Sequence, residues 1–345
     1  MTKIIEPIEG FFLKSNDDLI FDVKGLTHPS DRIIAFVRYV SKRYFENKDQ
    51  NRDYQKLYAL PDRYEFLTKN YPKYIFDDPK GRGLLQAVLR SDVSEIYNPI
   101  EKLQKILNTA NSNLDSLEID VKEIVEEIIG YSNIPIENIG ISGSILVGLQ
   151  TKKSDIDLVI YGMKQGRIIY ESMLEIFNSS KNFVRYDRTE LVRLWETRGQ
   201  EKQIDFSLFS IMERNKHLQG IFKGRDFYIR LIPYPDEFNE HYNDVTIINY
   251  GDIEIKATIE NSDHSIFTPC LYQLKNISIV EKDTDEDLLL ERIFSLRGRY
   301  CDLAKKGASI HVKGKLEKIS ISKKMEFYQI VLGSSSSEFF KLADL

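Results

Sequence analysis

Three acidic residues, two of them flanked on both sides by apolar residues, have the spacing to act together. Asp155 and Asp157 lie in Ser154-Asp155-Ile156-Asp157-Leu158-Val159-Ile160-Tyr161, and Asp205 lies in Gln203-Ile204-Asp205-Phe206-Ser207-Leu208. In a strand, residues two apart share a face, so Asp155 and Asp157 point one way while Ile156 and Leu158 turn to the core. Two carboxylates on one spot repel each other, and a divalent cation is their natural occupant. Asp205 reads as part of a second alternating strand, Ile204 to Phe209, from which it reaches the same place with its carboxylate within about 5 Å of the others. Two ions about 3.5–4 Å apart can activate an attacking hydroxyl and stabilise a leaving pyrophosphate oxygen in an in-line displacement. Upstream, Gly143 lets backbone approach a phosphate closely. The N–H groups that follow it, with the Ser144 hydroxyl, can hold β- and γ-phosphates, so this turn should face the same cleft. Lys152 and Lys153 lie nearby in sequence to add positive charge.

Glycine-serine, about ten residues, then aspartate-x-aspartate on a strand and a later aspartate on another strand: this order resembles the signature of the DNA polymerase β-like nucleotidyltransferase superfamily, over about residues 115–215. The Ser154-Asp155-Ile156-Asp157-Leu158 wording and the second glycine, Gly148, are similar to archaeal members, among them CCA-adding enzymes and a group of predicted archaeal nucleotidyltransferases. The flanks resemble the latter group and not the tRNA-binding domains of the former. The resemblance implies a metal-dependent enzyme that moves a nucleoside monophosphate from an NTP, ATP among the candidates, to an acceptor hydroxyl on RNA, a protein or a small molecule. It implies two Mg²⁺ or Mn²⁺ ions on Asp155, Asp157 and Asp205 as catalytic ligands, and the nucleotide on Gly143 and Ser144. The competing reading is a non-catalytic module that binds nucleotide or nucleic acid on the same scaffold; three retained acids favour the enzyme. A metal-dependent phosphohydrolase would carry histidine-aspartate clusters, and His28, His217, His241, His264 and His311 show no such spacing.

The elements that must position these residues can be read from periodicity. At 345 residues the chain is long enough for two or three domains. Residues 1–112 read as a mixed α/β module, 113–249 as the nucleotidyltransferase domain and 250–345 as a β-rich domain, barrel-like and of the OB type, giving an α+β chain. Leu114, Leu117, Val121, Ile124, Val125 and Ile128 form a helical stripe. Ile139 to Ser142 and Ile156 to Tyr161 read as strands around a short helix, Phe183 to Tyr186 as a further strand, and Asp287 to Leu296 as a helix among the strands of the last region.

A net charge of −5 gives no global sign of a nucleic-acid binder. Nine Lys and Arg against two acids between Arg297 and Lys324 nevertheless make a basic island. Were it to track nucleic acid, its cations should gather on one face of the barrel, with Tyr300, Phe327 and Tyr328 as stacking groups. Trp195 with Arg193 and Arg198 reads as domain-edge packing, and His28, before Pro29 in a turn, as structural. Cys270 and Cys301 lack metal spacing and read as buried thiols. Glu6 and Glu9 interrupt the apolar start, so no secretory signal is expected, and no apolar run approaches membrane-spanning length; a cytoplasmic location follows.

Overall fold

The computed structural model describes residues 6–44, 53–198, 204–322, 325–335 and 337–343. Three sheets follow one another along the chain. The first holds β1 (Phe12–Ser15), β2 (Leu19–Val23), β3 (Arg32–Ser41), β4 (Tyr54–Lys56), β5 (Ile75–Asp78), β6 (Gly83–Leu89) and β7 (Val93–Tyr97), with helix α1 (Leu60–Asn70) between β4 and β5. Its seven strands run in the order β5-β6-β3-β2-β1-β7, with β4 beside β3, and every pairing is antiparallel. Alternation divides its side chains. Leu13, Phe21, Ala35 and Val37 join Leu67 of α1 and Tyr74 in one core, while Phe12, Ile20 and Tyr39 fall in another.

The middle sheet carries the motif. After α2 (Pro99–Asn108) comes α3 (Ser116–Ser132), which starts on a reciprocal capping box between Asp115 and Glu118 and ends where Asn133 turns left-handed at φ 53°. Then follow β8 (Ile139–Ile141), the one-turn α4 (Gly143–Leu146), β9 (Ile156–Tyr161), α5 (Met163–Ser179), β10 (Phe183–Val184), α6 (Arg188–Thr197), α7 (Phe206–Arg214), and the hairpin β11 (Gln219–Phe222) and β12 (Arg225–Ile232). The order is β10-β11-β12-β9-β8; β12 runs parallel to β9 and the other neighbours are antiparallel. On β9, Ile156, Leu158 and Ile160 pack on Val121, Ile124 and Ile128 of α3 and on Ile169 and Met173 of α5. Asp157, Val159 and Tyr161 therefore face the other way, and Val159 and Tyr161 join the N-terminal core. This geometry sends the motif's acids toward the first sheet.

The third sheet holds β13 (Val245–Asn261), β14 (Cys270–Lys282), β15 (Leu290–Ser295), β16 (Ser309–Ile321), β17 (Met325–Val331) and β18 (Phe339–Leu342). The run β13-β14-β15-β17-β16 returns to β13 and so forms a ring, with β18 added along β16. The helix expected at Asp287 to Leu296 is instead β15. Leu290 and Ile293 fit a helical spacing, but β15 is hydrogen-bonded to β14 on one side and to β17 on the other, and those pairings decide the backbone. Among the described residues no helix is long and apolar enough to cross a membrane.

Candidate active site

The site is assembled where β9 begins. Asp157 is its second residue, half-buried, and Asp155 is exposed just ahead of the strand. The Ser142 N–H donates to the Asp157 carbonyl at 2.8 Å, so the chain turns into α4 directly beside this carboxylate. Gly143 is left-handed at φ +62°, and any Cβ there would overlap the Asp157 carboxylate. Glycine is needed for both reasons. The glycine-serine turn and the aspartate pair thus meet at one point, while Lys152 and Lys153 stay exposed in the turn before Asp155.

Burial, and next the neighbouring Asp155 carboxylate, push Asp157 up to about 6; Arg230, Lys56 and Arg38 act against that rise. Two of these cations come from the first sheet. Lys56 stands opposite Tyr39 in the β3–β4 register, and Tyr39 packs in one cluster with Phe12, Ile20 and Leu146 of α4, against Val147 and Leu149. The N-terminal sheet therefore covers the mouth of the site.

Asp205 sits elsewhere in the fold than expected. It is the N-cap of α7, and its Oδ1 accepts the Leu208 N–H at 3.0 Å. Ile204 to Phe209 alternates apolar and polar as a strand would, but Phe209, Met212 and Glu213 are buried at helical spacing behind a capping aspartate, and the helix wins. Among the described residues, no group of three or more His, Cys, Asp or Glu side chains is placed to hold a metal ion.

The strand beside β9 is β12, where Tyr228 stands opposite Asp157 and Arg230 opposite Val159. Directly opposed residues share a face. Arg230, two residues beyond Tyr228 on that strand, lies on the face that Asp157 shares and acts on its carboxylate. Glu9, fully buried, pairs with it, and also accepts from Lys24 Nζ at 2.9 Å and the Gly25 N–H at 3.0 Å. Sequence reading missed this residue. The signal was present in the Lys223-Gly224 turn followed by buried Phe227, Ile229 and Leu231 alternating with Tyr228 and Arg230. Asp155 and Asp157, with the Cβ-free Gly143 against the latter, fit a divalent ion held between two carboxylates. Among the described residues no third acid joins them.

Several cations of the basic island are paired with acids, and its candidate stacking groups are buried. Lys305 pairs with Asp302, Lys313 with Glu254 and Glu281, and Lys318 with Glu326. Tyr300, Phe327 and Tyr328 are buried at 3–5 % exposure and cannot stack on a base. Lys323 and Lys324 lie outside the described residues. Trp195 packs on Phe206 and donates to the Ile204 carbonyl at 2.9 Å, as domain-edge packing requires. His28 is buried between two backbone groups.

Residues 118–228 match the family of nucleotidyltransferase domains. The chain carries such a domain, of the DNA polymerase β-like kind, and the family typically uses divalent metal ions. Over 336 residues, 95% of this chain and 96% of the relative, it is 29% identical to an uncharacterized protein of Methanocaldococcus jannaschii. No solved structure matches it.

Proposed function

We propose that this protein transfers a nucleoside monophosphate from an NTP to an acceptor hydroxyl and releases pyrophosphate. The observation that supports this best is the packing of Gly143 on the Asp157 carboxylate, which joins the phosphate-approach turn to the acid pair. Asp155 and Asp157 would hold the ion, Mg²⁺ or Mn²⁺, and Gly143 and Ser144 would lie along the triphosphate. When bound, the ion supplies charge neutralisation and polarises a phosphoryl oxygen. Arg230, fixed by Glu9, supplies a permanent positive charge on the same face, where developing phosphoryl charge is stabilised without reorganisation. On this reading Asp155 and Asp157 would hold one ion with Arg230 beside them, and a second ion, which the resemblance implies, would need Asp205. The ring of the third sheet suits a barrel of the OB type that supports this domain.

Arg230 also favours a second reading, a nucleotide-binding module without turnover. Incubating the full chain with each NTP labelled at the α-phosphate, Mg²⁺ or Mn²⁺, and total RNA or small-molecule acceptors separates the two. Transfer should label one acceptor class and release pyrophosphate. Asp157→Asn should cut that transfer by about a hundredfold or more, because it keeps the shape of the side chain and removes the ion-holding charge. Its melting temperature without metal should be unchanged or slightly higher, since one of two crowded carboxylates is gone. NTP binding with no pyrophosphate release from any NTP would establish the module instead.

A further inference from the structure

Three cations lie on the N-terminal wall: Arg38 and Lys56 act on the Asp157 carboxylate, and Arg63 stands with Arg38, where the Asp22 carboxylate acts on both. Arg38 lies on β3, Lys56 on β4 and Arg63 in the first turn of α1. Lys56 faces the site beside Tyr39. Arg38 and Leu57 exchange backbone and side-chain bonds, the Leu57 N–H donating to the Arg38 carbonyl at 2.9 Å and Arg38 Nη1 to the Leu57 carbonyl at 3.4 Å. Both Arg38 and Lys56 lie over the ring of Tyr58, at 5.6 and 5.1 Å from its centroid, and that ring is 73% exposed. Arg63 is only 6% exposed; its Nη2 donates to the Tyr58 carbonyl at 3.2 Å, and its Nε is buried with no partner. Among the described residues none of the three makes an ion pair, whereas Lys24 and Arg230 are taken up by Glu9 and Asp22.

Such crowding is costly. Burial first, and then Arg38, press Arg63 down to about 10, and the same two influences lower Lys56, which Asp155 and Asp157 partly support. Asp22 offsets part of this, but Lys24 and Arg230 share that carboxylate, so a buried guanidinium with an idle N–H and like charges beside it can still take a multiply charged acceptor. Phosphoryl oxygens are the acceptors that a guanidinium fork and an ammonium share best.

We infer that Arg38, Lys56 and Arg63 form a subsite for phosphoryl groups on the N-terminal wall, across from Asp155 and Asp157. Phosphate binding stands on these cations alone; its use in transfer rests on the function proposed above. The phosphoryl group has two sources, the triphosphate of the NTP or a phosphate on the acceptor.

Inorganic pyrophosphate is the probe, titrated into the full chain by calorimetry after divalent ions are stripped on a chelating resin. The wild type should bind it, and Lys56→Gln and Arg63→Gln should each weaken binding about tenfold or more, the usual scale for a charge-assisted phosphate contact. Asp157→Asn should keep it. If pyrophosphate binds no more tightly than chloride at matched ionic strength, or if both variants bind it like the wild type, the subsite is wrong. Should Arg63→Gln melt below the assay temperature, the half-buried Lys56→Gln decides. Competition between pyrophosphate and NTP with Mg²⁺ assigns the subsite to the triphosphate; simultaneous binding assigns it to the acceptor. Pyrophosphate binding that Lys56→Gln removes, in a protein that turns over no NTP, would sustain the subsite and sink the transfer reaction.

Discussion

Asp205 can be a helix cap or a metal ligand, and asparagine separates the two roles. Asparagine caps about as well as aspartate, while a metal ligand needs the charge. Asp205→Asn is expected to leave both stability and transfer as they were, and Asp205→Ala to lose about 1 kcal/mol in a denaturant titration. A stable but inactive Asp205→Asn would return it to the metal site. Gly143 is tested from the other side. Alanine there takes on left-handed strain and meets the Asp157 carboxylate, so Gly143→Ala should cost about 1–3 kcal/mol and lower transfer together; an alanine variant with wild-type activity would show that the turn has room. Gly143, Asp155 and Asp157 were legible because their geometry is local, two positions along a strand and one tight turn. Arg230 and Lys56 were not, since each reaches the site through a pairing register between distant segments.

Elements with long periodicity declared themselves, as α3 does through its capping box and apolar stripe. Two shorter ones did not: α7 and β15 each carry a few apolar residues that suit either period, and their neighbours settle the matter. The turn before β3 makes an element-scale prediction. Within it, His28 Nε2 lies 2.8 Å from the Pro7 carbonyl while Nδ1 accepts the Ile34 N–H at 3.3 Å, which suits the neutral ring. Burial presses its pKa from the usual 6.5 down to about 4; the Pro7 carbonyl, Glu6 and Glu9 oppose this and Arg90 adds to it. Between those values the unfolded chain binds a proton that the folded one refuses. Its contribution is therefore complete above pH 6.5 and shrinks as pH falls toward 4, by about 3 kcal/mol in all. Denaturant titrations from pH 7 to 4 should show the wild type losing this stability and His28→Gln losing less; parallel curves would mean that the ring is charged in the fold.

At the scale of the molecule, the face of the middle sheet that carries Asp157 is closed by another sheet, and the seam is polar as well as apolar. Ser142 Oγ donates to the Gly10 carbonyl at 2.7 Å and Tyr161 to the Glu9 carbonyl at 3.2 Å. The C-terminal ring is tied to the same N-terminal sheet, with the Ile247 N–H donating to the Lys80 carbonyl at 2.7 Å. Glu9 is the centre of the seam. Fully buried, it holds Arg230 on the site face while Lys24 keeps a second partner in Asp22. Removing one member of a buried pair leaves the other charge uncompensated, typically at 3–5 kcal/mol. Glu9→Gln should thus destabilise the protein by about 3 kcal/mol in urea and speed hydrogen exchange in β1 and β2, where the wall is anchored. Arg230→Gln should cost less once Glu9 is already Gln, because the two substitutions remove the same contact. A double-mutant cycle with no coupling between them would show that Glu9 acts on the seam and not on Arg230.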